Sequence, residues 1–389
     1  MMLRATAAAA AALLIAGGGA AQAADTVRLP APTGPHRVGV TTLHLVDHDR
    51  PDPWPDAAGA PRELVATVFY PARDVRGYPV APQMTPGAAE KFARIDVHHA
   101  HPELPKSGVD WAATRTHSHV GAPASPVRRP VLLYSPGAAD PRTLNTTLAE
   151  DLASRGYVVV SFDHPGETSE VEFPDGRVRT IALPADPRVD PAVFRAMIDT
   201  RLADAKFVLD RLAVLAGGGN PDVTGRALPR HLGRALDLRR VGAYGHSAGG
   251  TTAAELMYED RRVDAAVNLE GYLDHGTGQP GQPGELLPVA RHGVDRPLLL
   301  LGTDGYRDAR YDSSWAAMLA HGGPTTHREV ADATHWVFTD FAAMAPQFQA
   351  AGLMTREDRV RLVGAIGPAR SVPLVRGLVG SFFDRALRR

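Results

Sequence analysis

Short apolar segments alternate with helical segments from Pro130 onward, and this alternation constrains the fold more than any other feature of the chain. The segments PVLLYS, YVVVSFD, RRVGAY, DAAVNLE and PLLLLG each contain a short apolar run, in several of them rich in valine or leucine, and lack polar alternation. Such strands are typical of parallel sheets whose two faces are both covered by helices. The sequence therefore predicts an α/β fold with a mostly parallel central sheet.

Two segments that precede Pro130, residues 38–46 and 64–70, show the period of a half-buried strand, and we expect an antiparallel pair there. Residues 71–129 are rich in proline and show no clear periodicity. Long segments of this kind in compact domains are usually functional or mobile. We therefore expect an irregular insert over 71–129 that could act as a lid.

The N-terminus predicts a secretory signal peptide over residues 1–23. Arg4 is followed by the apolar run 7–16 and then by Ala21-Gln22-Ala23, so cleavage is expected after Ala23. The apolar run is too short to span a bilayer, and no other stretch reaches 18 apolar residues. We expect a secreted, extracellular protein in which residues 24–389 form a single domain without stable membrane insertion.

Composition excludes several classes of chemistry. The formal net charge is −1 without long runs of one sign, so no nucleic-acid partner is expected. The chain contains no cysteine, which rules out disulfides, thiolate metal sites and a cysteine nucleophile. Histidines cluster in the insert, but no spacing for four convergent ligands is evident. No metal site and no cofactor are predicted.

The segment GHSAG, residues 245–249, fits the G-x-S-x-G pattern of a nucleophile elbow. A predicted strand precedes it and a predicted helix follows it. Glycines two residues to either side of Ser247 remove Cβ atoms that would collide with neighbouring backbone in a tight turn. The pattern predicts Ser247 as a nucleophile.

A serine hydroxyl needs a base, which in this topology follows the last strand of the sheet. His335 in ATHWVF holds that position. The base in turn needs an acid that orients its ring. Two carboxylates end strands between Ser247 and His335, namely Glu270 and Asp304, and periodicity alone does not choose between them.

An ester hydrolase also needs two N–H donors for the oxyanion. The elbow predicts the first at Ala248, the residue after the serine. The second is expected in YSPGAAD, after the first central strand. Pro136 has no N–H, which leaves Gly137 and Ala138.

These segments together resemble the α/β-hydrolase family that contains the platelet-activating-factor acetylhydrolases and their bacterial lipase and esterase relatives. The resemblance runs from about residue 34 to about residue 341 and includes LLYSPGAADPRT, LASRGYVVVSFDHPGE and VGAYGHSAGGTTAAELMYEDRRVDAAVNLEGY. It implies Glu270 rather than Asp304 as the acid, His335 as the base and Ala138 as the oxyanion donor. The chain departs from the family at Glu270, where aspartate is usual, and at Pro136, where histidine is usual.

The resemblance implies a secreted, cofactor-free serine hydrolase of carboxylic esters. Its expected substrates are small-molecule or lipid esters with short acyl chains, such as phospholipids that resemble platelet-activating factor. A lipase or a cutinase-like polyester hydrolase is the alternative among enzymes. A non-catalytic binding protein of the same fold is the alternative from another class.

Overall fold

The computed structural model describes residues 26–388, so the predicted signal peptide lies outside the described residues. Twelve strands are present in this range, and they are listed here in chain order. They are β1 (Val38–Pro51), β2 (Pro61–Pro71), β3 (Val80–Pro82), β4 (Arg115–Val120), β5 (Arg129–Ser135), β6 (Val158–Phe162), β7 (Glu170–Glu172), β8 (Val178–Thr180), β9 (Leu236–His246), β10 (Ala265–Leu269), β11 (Leu298–Thr303) and β12 (Thr325–Val330).

Ten of these strands form one sheet in the order β12-β11-β10-β9-β5-β6-β2-β1-β4-β3. The run from β12 to β6 is parallel throughout. Strand β2 pairs antiparallel with both β6 and β1. The predicted fold class, a mostly parallel sheet with antiparallel N-terminal strands, is confirmed.

Ten α-helices accompany the strands within residues 26–388. They are α1 (Pro86–Arg94), α2 (Thr146–Ser154), α3 (Pro191–Ala216), α4 (Leu232–Ala235), α5 (Ala248–Glu259), α6 (Pro288–His292), α7 (Ala309–Ala320), α8 (Phe341–Ala350), α9 (Arg356–Val363) and α10 (Pro368–Leu387). None of the helices in the described range is both long and apolar enough to cross a membrane.

Helices cover both faces of the sheet. Along β5, Val131 and Leu133 belong to the same core cluster as the buried residues of α3, α5 and α7. Leu132 and Tyr134, which point to the opposite face, pack in the cluster that contains α2 and α10. Because both faces of the central strands are buried, these strands read as continuous apolar runs in the sequence.

The insert over 71–129 is more regular than we expected. It contains β3, α1 and β4, together with a π-helical turn at Asp96–Ala100 and a 3-10 turn at Trp111–Ala113. Strand β4 pairs with both β1 and β3, so the insert extends the sheet. These elements are only three to nine residues long, too short to show a period between the prolines. The lid role stays a prediction.

The carboxyl ends of β5, β9, β10, β11 and β12 meet at one edge of the sheet, because these neighbouring strands are parallel. Ser247 follows β9, Glu270 follows β10 and Asp304 follows β11. His335 lies in the loop after β12, and the segment 136–140 follows β5. Sheets of this kind bind ligands at this edge.

Candidate active site

Ser247 lies at the corner between β9 and α5 with φ 53° and ψ −122°. Few non-glycine residues adopt a positive φ, and such strain is concentrated at functional sites. A Cβ at Gly249 would come within 1.9 Å of the Ser135 carbonyl oxygen, and a Cβ at Gly245 within 2.2 Å of the Gly249 backbone. The corner therefore requires both glycines, and it leaves the Ser247 side chain half-buried rather than enclosed.

His335 lies next to this corner. Its backbone carbonyl accepts a hydrogen bond of 2.9 Å from Nε2 of His246, the residue before Ser247. The two imidazole rings are 4.4 Å apart between centroids. His335 begins a 3-10 helix, His335–Phe338, which turns the chain away from β12. The loop after the last strand thus brings its histidine to the residue beside the predicted nucleophile.

Glu270 is hydrogen-bonded to His335, with 2.8 Å between Oε2 and Nδ1. Its other oxygen, Oε1, accepts hydrogen bonds from the Thr303 amide at 2.6 Å and from the Thr303 hydroxyl at 2.7 Å. Glu270 has φ 63° and is 1% exposed. All partners of this carboxylate can donate, so the hydrogen bonds favour its ionised form and partly offset the effect of burial.

The hydrogen bond fixes the tautomer of His335. Because a carboxylate accepts at Nδ1, that nitrogen carries the proton and Nε2 keeps its lone pair for use as a base. Burial lowers the pKa of His335 to about 4 and raises the pKa of Glu270 to about 7. Above about pH 7, an ionised Glu270 therefore faces a neutral His335.

The structure brings Glu270 to His335 and directs Asp304 elsewhere. The Asp304 carboxylate is exposed and accepts hydrogen bonds from the backbone amides of Asp332 at 2.9 Å and Ala333 at 3.1 Å. These amides lower the pKa of Asp304. Asp304 thus anchors the backbone of the loop that carries His335.

Two backbone amides flank the corner from neighbouring strand ends. Ala248 is the first residue of α5, so its N–H has no partner within the helix. Arg201 donates to the carbonyl oxygens of Pro136 at 2.6 Å and Gly137 at 3.2 Å. In a trans peptide the N–H points opposite to the C=O, so the Ala138 N–H points away from Arg201. Arg201 thereby holds the loop after β5 with the Pro136 and Gly137 carbonyls directed toward the guanidinium group.

Sequence reasoning missed Arg201 and Glu167, which hold this loop, whereas it placed His164 beside the site. Arg201, in the middle of α3, also donates from Nε to Glu167 at 2.6 Å, and the Glu167 carbonyl accepts from the Ala139 amide at 3.2 Å. His164 contacts the Ser135 hydroxyl at 2.9 Å through Nε2. Ala139 has φ 68°. An arginine within a long predicted helix is the only signal in the sequence, because Arg201 lies 34 residues beyond Glu167 and 65 residues beyond Pro136.

Aromatic rings enclose His335. The Tyr306 ring is stacked on the imidazole at 4.1 Å with an interplanar angle of 25°, and Trp336 meets it edge-on at 5.1 Å. Tyr306 donates its hydroxyl to the Tyr272 hydroxyl at 2.9 Å. This packing leaves His335 only 8% exposed. It also supplies apolar surface beside the predicted base, as is common in small-molecule sites.

Comparisons with known proteins find two esterases that cover most of the chain. No family model matches the chain. A probable 1-alkyl-2-acetylglycerophosphocholine esterase from Arthroderma benhamiae is 26% identical over 377 residues, covering 92% of this chain and 88% of that protein. The solved structure of a ferulic acid esterase from Streptomyces cinnamoneus is 35% identical and superposes with a TM-score of 0.71, covering 93% of each chain.

Proposed function

The chain belongs to the α/β-hydrolase family that contains the platelet-activating-factor acetylhydrolases and their bacterial esterase relatives, and from this premise we propose that it hydrolyses carboxylic esters with a Ser247–His335–Glu270 triad. Esterase activity is the property that the names of both relatives share. The hydrogen bond of 2.8 Å between Glu270 and His335, beside the strained Ser247 corner, carries the proposal.

In this mechanism Ser247 Oγ attacks the ester carbonyl while His335 Nε2 takes its proton. The tetrahedral oxyanion accepts hydrogen bonds from the Ala138 and Ala248 amides. His335 then donates the proton to the departing alcohol, which leaves an acyl group on Ser247. In the second half of the reaction His335 takes a proton from water, which attacks the acyl-enzyme. His335 then returns the proton to Ser247 Oγ as the acid is released.

Glu270 holds the imidazolium that forms in each transition state. Its ionised form is disfavoured by burial, but the Thr303 amide and hydroxyl lower its pKa again. The residual cost of the buried charge is offset when His335 becomes positive. An orienting acid of this kind typically contributes about 10⁴ in turnover.

For the substrate we propose a small-molecule or lipid ester with a short acyl chain. The esterase from Arthroderma benhamiae supports a phospholipid with a short sn-2 chain, and the lipase and cutinase-like alternatives differ by longer or polymeric substrates. A second candidate is an aromatic acyl ester. The rings of Tyr306 and Trp336 beside His335 support it, as does the 35% identity with a ferulic acid esterase.

A substrate panel separates these candidates. The purified enzyme is assayed on p-nitrophenyl esters of two to sixteen carbons, on a phospholipid with an acetyl group at sn-2 and on methyl ferulate. We expect kcat/KM to be highest on short chains, and the ratio of phospholipid to ferulate identifies the acyl group. A rise of kcat/KM toward sixteen carbons would support the lipase instead.

A fluorophosphonate probe tests the alternative of a non-catalytic binding protein. The probe should label one serine, identified as Ser247 by peptide mapping, and the Ser247→Ala variant should neither label nor turn over ester. A wild-type protein that does not react, or a Ser247→Ala variant that keeps more than about a tenth of the activity, would contradict the triad.

We also propose that the protein is exported and processed after Ala23. The proposal depends on Arg4, the apolar run 7–16 and the Ala21-Gln22-Ala23 ending. N-terminal sequencing of protein from the culture medium should begin at Ala24. Recovery of Met1 on exported protein would refute processing.

A further inference from the structure

A buried cluster outside the triad joins the insert to the loop that holds Ala138. Asp96 and His101 come from the π-helical turn of the insert and its end, and Asp140 comes from the loop after β5. All three residues are at most 1% exposed. His101 Nε2 lies 3.2 Å from Asp96 Oδ1 and 3.1 Å from Asp140 Oδ1. One imidazole nitrogen therefore faces two carboxylates in the interior.

The cluster has fewer hydrogen-bond donors than its buried carboxylate oxygens need. A single N–H on His101 Nε2 cannot be shared well between two carboxylate oxygens. Asp96 Oδ1 and Asp140 Oδ2 are buried and have no hydrogen-bond partner within residues 26–388. Unpaired buried acceptors are costly, and native structures contain few of them. The arrangement thus calls for positive charge.

His246 provides a second and independent sign. Its Nε2 faces the His335 carbonyl, which can only accept, so Nε2 carries the ring proton and Nδ1 has a lone pair. That Nδ1 is buried, lacks a hydrogen-bond partner among the described residues and lies 3.6 Å from Asp140 Oδ2. Two acceptors therefore face each other. A cation at the cluster, or a water bound to it, would satisfy both.

We propose that Asp96, His101 and Asp140 bind a divalent metal ion of the zinc class. One ligand atom from each residue lies within 4.8 Å of the others. Around a tetrahedral zinc ion with bonds of about 2.0–2.1 Å, neighbouring ligand atoms are roughly 3.3 Å apart. The observed separations of 3.1 and 3.2 Å are close to this value.

The donor set favours zinc over calcium or magnesium. One imidazole nitrogen with two carboxylate oxygens suits zinc, whereas calcium takes six to eight oxygens at longer distances. A water molecule would complete the tetrahedron and donate to His246 Nδ1. The proton is the competing cation, since the two carboxylates raise the pKa of His101 to about 10.

The proposed ion would have a structural role near the active site. Asp140 is two residues beyond Ala138, and His246 precedes Ser247 and contacts the His335 carbonyl. An ion at the cluster would fasten the insert to the loop that presents the Ala138 amide. The sequence did not reveal this site because its ligands are not close along the chain: Asp140 is 39 residues beyond His101.

Zinc content and thermal stability test the proposal directly, without reference to ester turnover. The full-length enzyme is stripped with a chelator, loaded with zinc chloride, desalted and measured by mass spectrometry for zinc per chain. We expect about one zinc per wild-type chain, and a Tm several degrees above that of the stripped protein because the ion binds the folded state.

The variants Asp96→Asn and His101→Gln should retain less than about a tenth of the bound zinc, because each replaces a strong zinc ligand with a neutral amide. A double variant, His98→Gln with His99→Gln, is the matched control, since these two histidines are exposed on the same turn. It should bind zinc as the wild type does. Near-UV circular dichroism shows whether each variant folds.

Three results would overturn the proposal. The first is a wild-type protein that binds no zinc after loading and has the same Tm with and without chelator, which indicates a cluster bridged by protons only. The second is zinc that remains on folded Asp96→Asn and His101→Gln proteins. The third is zinc lost from the double control, which indicates an exposed site. Even where a variant fails to fold, a wild-type protein that binds no zinc overturns the proposal.

Discussion

Glu270 and Asp304 follow the neighbouring parallel strands β10 and β11 at the same edge of the sheet. Glu270 is buried, and its oxygens accept hydrogen bonds from Thr303 and His335. Asp304 is exposed and accepts from backbone amides two to three residues before His335. Both carboxylates therefore help to position His335. Glu270 is hydrogen-bonded to its ring, and Asp304 is hydrogen-bonded to the backbone of the segment that precedes it. A carboxylate at a strand end is thus not sufficient to identify the acid of a triad.

The two environments shift the carboxyl pKa values in opposite directions. Burial raises the pKa of Glu270 to about 7, whereas backbone amides lower the pKa of Asp304. A carboxylate whose charged form is disfavoured by burial would be stabilised by a nearby histidine that becomes positive during the proposed reaction. The charged form of Asp304 is already stabilised by two backbone amides of the loop after β12.

The largest expected effect is that of Glu270→Gln on turnover. The site needs an acceptor at both carboxylate oxygens, and an amide has only one. If the amide oxygen stays on the Thr303 N–H, the NH₂ group faces His335 and moves its lone pair to Nδ1, which removes the base. We expect kcat to fall by about 10⁴ with the fold intact. Steady-state kinetics and near-UV circular dichroism measure both quantities, and activity within tenfold of wild type would contradict the assignment.

A smaller loss is expected from Thr303→Val, which removes only the hydroxyl that donates to Glu270 Oε1. Hydrogen bonds to charged groups are worth about 1.5–3 kcal/mol, so we expect kcat to fall by roughly 10- to 100-fold. The hydroxyl lowers the pKa of Glu270, so its loss should also move the acid limb of the pH–rate profile to higher pH. Thr303→Ser is the control and should keep the wild-type profile. An unmoved acid limb would show that Thr303 does not act through Glu270.

Asp304→Asn should change turnover by less than about tenfold, because backbone support for a loop costs far less than an orienting acid. Asparagine keeps one acceptor for the Asp332 and Ala333 amides. KM and kcat on a short p-nitrophenyl ester are the readouts. An inactive, folded Asp304→Asn protein would reverse the comparison.

The smallest expected effects are on stability, and they have opposite signs. Because the pKa of Glu270 is raised in the folded state, its contribution to stability is present at low pH and is lost as pH rises through about 7. Glu270→Gln should therefore raise Tm at pH 8, by an amount that shrinks toward pH 5. The pKa of Asp304 is lowered, so its contribution is present at pH 8 and is lost as pH falls through the folded pKa. Asp304→Asn should lower Tm at pH 8, and the same direction of change in both variants would contradict these environments.

The parts of the site that follow from local pattern could be predicted from the sequence. The strand–turn–helix context of Ser247 is contiguous, and a histidine after the last strand requires only the order of the elements. Only the family resemblance favours Glu270 over Asp304, because both residues end predicted strands and periodicity does not distinguish them. What distinguishes Glu270 from Asp304 in the structure is the positive φ at Glu270 and the donors of Thr303, and no local sequence pattern predicts either.

Long-range partners explain most of what sequence reasoning missed. Arg201 reaches the loop after β5 from the middle of α3, and Asp140 meets His101 from a different segment. Which polar residue lies opposite which depends on how the insert and α3 pack on the sheet. The sequence predicts an irregular insert because the elements of the insert are too short to show a period. In the structure, β4 nevertheless pairs with β1 and joins the sheet.

The rate of Ser247 phosphonylation by a fluorophosphonate tests most directly whether Glu270 is the acid that activates the base. This reaction needs a nucleophilic Ser247 and a correctly oriented His335, but it involves no substrate specificity and no deacylation. We expect Asp304→Asn to react within about tenfold of the wild-type rate and Glu270→Gln to react at least about 100-fold more slowly. A Glu270→Gln protein that reacts at the wild-type rate, beside an Asp304→Asn protein that does not react, would contradict the account.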